Sequence, residues 1–153
     1  MASGRTRVAI SAMQTEADWK WWSTQSRVPL ATDARGLIAF QAGAPAAGVV
    51  FQNWLPASVE IHHSLRKPTV LRHGWLDVIA QAGFGEHRKT LYSLVSADLK
   101  KALKFDKHIG FKEVGRIPNG DSEGVDLVVL VLERHEFKYW KENNSGWRIA
   151  GRS

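Results

Sequence analysis

Glu60 and His62 stand two residues apart in Val59-Glu60-Ile61-His62-His63, a run in which apolar and polar residues alternate. In a strand, alternation sends successive side chains to opposite faces, so the carboxylate and the first imidazole share a side and His63 points away. A carboxylate beside an imidazole can move a proton; the plain alternative is an exposed or ion-paired strand glutamate. Asp106 is the second acid of interest. At ~100° per residue, Phe105, Ile109, Ala102, Asp106, Leu99 and Leu103 share one arc of a helix, and Lys100, Lys101, Lys104, Lys107 and His108 share the other. An acid in a core position must be hydrogen-bonded, ion-paired or protonated. Asp106 is therefore either a satisfied structural acid or part of a site. The third feature is Arg66-Lys67-Pro68-Thr69-Val70-Leu71-Arg72-His73-Gly74, a basic turn leading into a helix. A helix start offers free amides and partial positive charge, and the flanking cations reinforce it; an ordinary basic loop is the alternative. His62, His63 and His73 do not form a metal set, because adjacent strand histidines diverge and no second spaced cluster supports them.

The elements that must position these groups follow from pattern. Arg7–Met13 reads as a strand, and Thr15 or Asp18 caps a helix from Trp19 to about Gln25. At helical spacing Trp19 and Trp22 share a face while Trp21 points elsewhere. Leu37–Phe40 and Gly48–Trp54 form an antiparallel hairpin around Gly43-Ala44-Pro45, and the Val59–His63 strand follows. Thr69 is the expected N-cap of a helix with Leu71, Trp75, Val78, Ile79 and Ala82 on one face, punctuated by Gly83 and Gly85. Leu91–Val95 is a strand, and Asp98 is expected to cap the lysine-coated helix, which ends at Gly110. Phe111–Arg116 is a strand, Pro118–Gly124 a turn-rich loop, and Val125–Leu132 an apolar, central strand. A meander followed by strand-helix-strand-helix-strand predicts an α/β (α+β) fold, a mixed, mostly antiparallel central sheet of about seven strands flanked by helices.

The chain has 153 residues, 44% hydrophobic and 24% charged, as expected for one globular domain. Residues 1–140 are expected to form that domain and 141–153 a basic C-terminal tail. The apolar runs are short against the ~20 residues of a membrane span. No signal-like apolar stretch opens the sequence and cysteine is absent, so a cytoplasmic location is expected. The net charge of +6 favours anionic partners, either nucleic acid, acidic protein surfaces or a phosphate-rich cofactor. Nucleic acid is the weaker reading, since the basic residues form no recognised nucleic-acid motif.

The order of elements, the helix ending in Ile109-Gly110-Phe111, the strand Phe111–Arg116 and the strand Asp126–Glu133 resemble the GNAT superfamily of acetyl-CoA-dependent N-acetyltransferases. The resemblance covers roughly Arg35 to Trp140 and is nearest to small, divergent, often phage-encoded members. It implies a GNAT-like fold and acetyl-CoA as acyl donor. The family's cofactor loop reads Arg/Gln-x-x-Gly-x-Gly/Ala; here Lys67 takes the basic position, Val70 the first glycine and Arg72 the last small residue. The tyrosine often proposed as general acid falls at Asp106, and the asparagine that often opens that helix falls near Asp98 or Leu99.

Acetyl transfer to an amine needs a base for the amine, a donor for the thioester carbonyl and a proton or positive field for the departing thiolate. The resemblance implies Glu60, then His62, as base, and Asp106 as acid if burial raises its pKa. Arg66, Lys67 and Arg72 would hold the phosphates in place of glycine-enabled backbone contacts, with Val70, Leu71 and His73 completing that segment. The expected activity is transfer of an acetyl group from acetyl-CoA to a primary amine of a small molecule or protein by direct attack on the thioester. The alternative is a catalytically inactive binding or structural protein on the same fold, such as a phage virion component or a host-directed inhibitor, placed in the host cytoplasm or the virion.

Overall fold

The computed structural model describes residues 7–137; the expected tail lies outside them. Seven strands form one sheet: β1 (Val8–Ala12), β2 (Arg35–Gln41), β3 (Ala44–Gln52), β4 (Ser58–Leu65), β5 (Thr90–Ser96), β6 (Lys112–Ser122) and β7 (Val125–Glu133). Their spatial order is β1-β2-β3-β4-β5-β7-β6. β1 to β4 pair antiparallel in chain order; the β1–β2 connection carries a helix over Glu16–Gln25, and short connections join β2 to β3 and β3 to β4. Helix α2 (Trp75–Phe84) carries the chain back across the sheet, so β5 runs parallel to β4, as a helical crossover requires. Helix α3 (Lys100–Ile109) leads to the edge strand β6, and β7 returns between β5 and β6. The mixed, mostly antiparallel seven-stranded sheet with flanking helices is the one the sequence pattern predicted.

The two faces are covered unequally. On one, Val49, Phe51, Val59, Ile61, Leu91, Leu130 and Leu132 pack with α2 and the apolar side of α3 in the main core. On the other, helix α1 (Glu16–Gln25) closes a smaller cluster of Met13, Trp22, Ile38 and Val50. Thr15 accepts from the Asp18 amide and Asp18 accepts from the Thr15 amide, so both expected caps act together. Trp21, expected to point away, packs on the same cluster as Trp19, because α1 lies close enough to the sheet to bring it against Gly48. Among the described residues no helix is long and apolar enough to cross a membrane.

Four further local expectations are corrected. Thr69 does not cap α2: Pro68–His73 is a short 3₁₀ segment, and α2 starts only after Gly74. Gly74 has φ 80°, a left-handed value that lets the chain turn from one helix type into the other without a Cβ penalty. Asp98 does not cap α3; Leu99 occupies that position with no side-chain bond, and the Asp98 amide instead donates to Ser96 Oγ at 3.3 Å. Leu99 itself is 53% exposed, outside the apolar seam it was assigned to. Residues 118–122 are strand rather than loop. The Asn119 amide donates to Asp126 Oδ1 and Asn119 Oδ1 accepts from the Gly124 amide, so polar side chains tie an irregular extension of β6 to β7.

Candidate active site

β4 and β5 stay paired for three steps only, Ser58–Thr90, Val59–Leu91 and Glu60–Tyr92. Beyond that point β4 runs on to Leu65 and β5 to Ser96 without pairing each other. Backbone groups along the fork therefore lack a ladder partner on that side, which a buried chain does not tolerate without a substitute.

Glu60 and His62 stand at the fork on the same face, both below a tenth exposed at 6% and 7%. The His62 ring nitrogen Nε2 is hydrogen-bonded to Glu60 Oε2. Glu60 Oε2 also accepts from Gln52 Nε2 at 3.1 Å, and Oε1 from Asn53 Nδ2 at 2.9 Å. The His62 bond, reinforced by Gln52 and Asn53 against the cost of burial, holds the carboxyl down at about 2. An ionised carboxylate only accepts, so Nε2 carries the ring proton and Nδ1 is the nitrogen with a lone pair in the neutral ring. No other hydrogen bond to the His62 side chain exists among the described residues.

The support for this pair is drawn from distant sequence. Gln52 Oε1 accepts from the Ala31 amide at 2.8 Å and its Nε2 also reaches Pro29 O at 3.2 Å. Asp33 accepts from the amides of Asn53 and Trp54 at 3.0 and 2.9 Å, which lowers its pKa. Asn53 thus joins two carboxylates, Glu60 through its side chain and Asp33 through its backbone. Tyr92, opposite Glu60, is half-buried; burial, then the charges of Glu60 and Asp33, raise its pKa and keep the phenol protonated. Gln52, Asn53, Asp33 and Tyr92 carry no motif of their own. Strand register places Gln52 and Tyr92 on either side of Glu60, and the only sequence sign was a polar Gln-Asn pair ending an apolar strand.

His63 points to the opposite face, as the alternation required. Its Nε2 accepts from Trp75 Nε1 at 2.8 Å and its ring stacks on Phe105 at 5.5 Å. Burial pushes its pKa down to about 4, so the ring is neutral. Asp106, next to Phe105 on α3, is half-buried and pushed up to about 7 by burial. Its carboxyl has no hydrogen bond or ion pair among the described residues.

Arg66, Lys67, Arg72 and His73 are all exposed around the 3₁₀ segment. Arg66 Nη1 donates to Gln25 Oε1 at 3.5 Å, and none of the four forms an ion pair among the described residues. Leu71 is half-buried against the main core. Val70 is 0% exposed and its amide donates to Lys67 O at 3.2 Å, so the residue is sealed in the core. No group of three or more metal-ligating side chains occurs among the described residues.

No family model matches the sequence, and no curated protein matches it. Solved structures do. A variant of the spermidine N-acetyltransferase SpeG from Vibrio cholerae matches with a TM-score of 0.67 at 12% identity, covering 88% of this chain and 96% of that one. The N-acetyltransferase PseH from Campylobacter jejuni matches at 0.59 and 13% identity, covering 83% and 98%. YncA from Salmonella typhimurium, with its cofactor acetyl-CoA, matches at 0.54 and 13% identity, covering 65% and 64%. At such identities the likeness is one of architecture, and the chain has the GNAT fold. None of the three comes from a phage, so the suggested phage origin gains no support.

Proposed function

We propose that this protein is an acetyl-CoA-dependent N-acetyltransferase that moves an acetyl group to a primary amine by direct attack on the thioester. The observation that carries the reading is the parting of β4 and β5 immediately beyond Glu60 and Tyr92, with a buried carboxylate–imidazole pair at the fork. Among proteins of this architecture, YncA carries acetyl-CoA and SpeG is a spermidine N-acetyltransferase. The amide-bearing arm of the donor supplies the hydrogen-bonding partner that the unpaired edges of β4 and β5 lack.

The pKa of Glu60 reorders the roles expected from sequence. A carboxylate at about 2 is a weak base; it fixes the His62 ring through Nε2 and stabilises the imidazolium that forms. His62 Nδ1 takes the proton from the acceptor ammonium, directly or through water. The neutral nitrogen then attacks the thioester carbonyl, the C–S bond breaks, the thiolate takes the Asp106 proton, and the second proton of the acylated nitrogen leaves through water to restore Asp106 while His62 returns its own to solvent. An acid at about 7 is half protonated near neutrality and suited to that step. Arg66, Lys67, Arg72 and His73, with the half-buried Leu71 among them, hold the phosphates at the positive end of α2.

Isothermal titration with acetyl-CoA and CoA tests the reading: micromolar binding with thiol release in the presence of an amine supports it, and no binding at millimolar concentration ends it. The alternative of an inactive binding or structural protein is not favoured, because the proton-moving pair is complete.

A further inference from the structure

The face that carries Glu60 and His62 is covered only in part. Helix α1 packs over β2 and β3, and on the β5, β7 and β6 side no helix among the described residues covers this face. Register places Tyr92 beside Val131, Leu94 beside Val129, and Ile117 beside Leu127, all on this open face. None of these side chains belongs to either core cluster or packs against one. Ile117 is 43% exposed and the others are half-buried. The strip begins at Tyr92, which pairs with Glu60, so it runs outward from the candidate catalytic pair. It has an acidic end, where Asn53 bonds both Glu60 and Asp33, within a chain of net charge +6.

We infer that the acceptor is a primary amine carried on an apolar body, its ammonium at Glu60 and Asp33 and its hydrocarbon along Leu94, Val129, Val131 and Ile117. This deepens the acetyltransferase reading and rests on it. Charge selects the head: two carboxylates attract an ammonium, and His62 stands beside them to take its proton. Area selects the body: an open apolar strip next to the reacting groups binds hydrocarbon by removing both surfaces from water. A polycation fits less well. A second ammonium along the strip would lose hydration over Leu94 and Val129 and gain no partner there. At the margins Glu133 Oε2 accepts from Thr90, Asp121 Oδ2 accepts from Ser96, and Lys112 pairs with Glu136 at 2.7 Å, so the carboxylates beyond the strip lie at its edges and not along it.

The test is a series of primary amines of increasing alkyl length, from butylamine to octylamine, with diaminooctane as the doubly charged control, assayed by thiol release from acetyl-CoA. We expect kcat/KM to rise about twofold to threefold per methylene, below the ~0.8 kcal/mol (about fourfold) of a fully buried one. Diaminooctane falls well below octylamine. Val129→Asp and Ile117→Lys flatten the series while the Kd for acetyl-CoA, measured by titration, stays the same. A flat series, or preference for diaminooctane, overturns the inference. If no amine turns over, chemical-shift mapping with octylamine decides separately: shifts along β5 and β7 keep the acceptor site and sink the acetyltransferase reading, and no shifts sink the site. Should light scattering find a dimer that Val129→Asp dissociates without changing the amine series, a second copy owns the strip and the inference fails.

Discussion

Glu60 on β4 and Tyr92 on β5 face each other across the last paired step of the one parallel contact in the sheet. Everything proposed about chemistry follows from that position. On one side of the step the strands are joined; on the other they part, and the side chains at the junction are a buried carboxylate, its imidazole and a protonated phenol.

Removing the proton-moving pair should cost rate more than binding. His62→Gln is expected to lower kcat about a hundredfold or more, within the range of one general base, with little change in the acetyl-CoA Kd. The pH profile of the residual activity should differ from that of the wild type, because the group that takes the amine proton is gone. Steady-state kinetics across pH measures both, and an unchanged profile would remove His62 from the role of base.

Glu60 should also show in acid stability. Its folded pKa of about 2 lies below the ordinary 4.5, so its contribution is complete above 4.5 and is lost as pH falls through about 2. Glu60→Gln removes the ionised acceptor that His62, Gln52 and Asn53 share. A loss on the order of 2 kcal/mol at neutral pH, shrinking toward pH 2, is expected from urea unfolding.

Asp106 has the opposite sign. Its folded pKa of about 7 lies above the ordinary 3.8, so the folded state holds a proton that the unfolded chain releases. That contribution is complete below 3.8 and is lost as pH rises through about 7. Asp106→Asn should therefore be more stable than the wild type at pH 8, by roughly 1–3 kcal/mol, and close to it at pH 4. If Asp106 also supplies the thiolate proton, kcat falls in the same variant; stabilisation without a kinetic effect would leave the acid with no part in the reaction.

His63 counteracts Asp106. Its folded pKa of about 4 lies below the ordinary 6.5, so stability is complete above 6.5 and is lost as pH falls through about 4. His63→Phe should flatten stability over that window. At neutral pH it should cost about 1–3 kcal/mol, because Trp75 Nε1 loses its acceptor in a buried position.

Arg72→Glu should weaken acetyl-CoA binding about tenfold or more and reduce the salt dependence of the Kd, while leaving the melting temperature nearly unchanged, since Arg72 is exposed. Titration at two ionic strengths reads both effects. Equal affinity in the variant would place the phosphates elsewhere.

Some of this was legible in the chain. Period-two alternation put Glu60 and His62 on one side and His63 on the other because a strand permits nothing else. The arc of α3 exposed Asp106 as an acid in an apolar seam, and the strand–helix order fixed a mixed sheet. Helix starts were less legible, since Thr69 and Asp98 have the side chains of caps but the backbone turned at Gly74 and Leu99 instead. Local residue type proposes a cap; the angle at which an element meets the sheet chooses it.

Tertiary structure alone decided which acid is strong and which is weak. Glu60 and Asp106 are both carboxylates in apolar surroundings by sequence. Register brings Gln52 to one of them, the β3–β4 connection adds Asn53, and the strand itself adds His62; α3 brings the other no partner among the described residues. The sequence determines which side chains share a face, because that depends only on the period of the element. Their charge depends on donors contributed by other strands, and only the folded sheet places those.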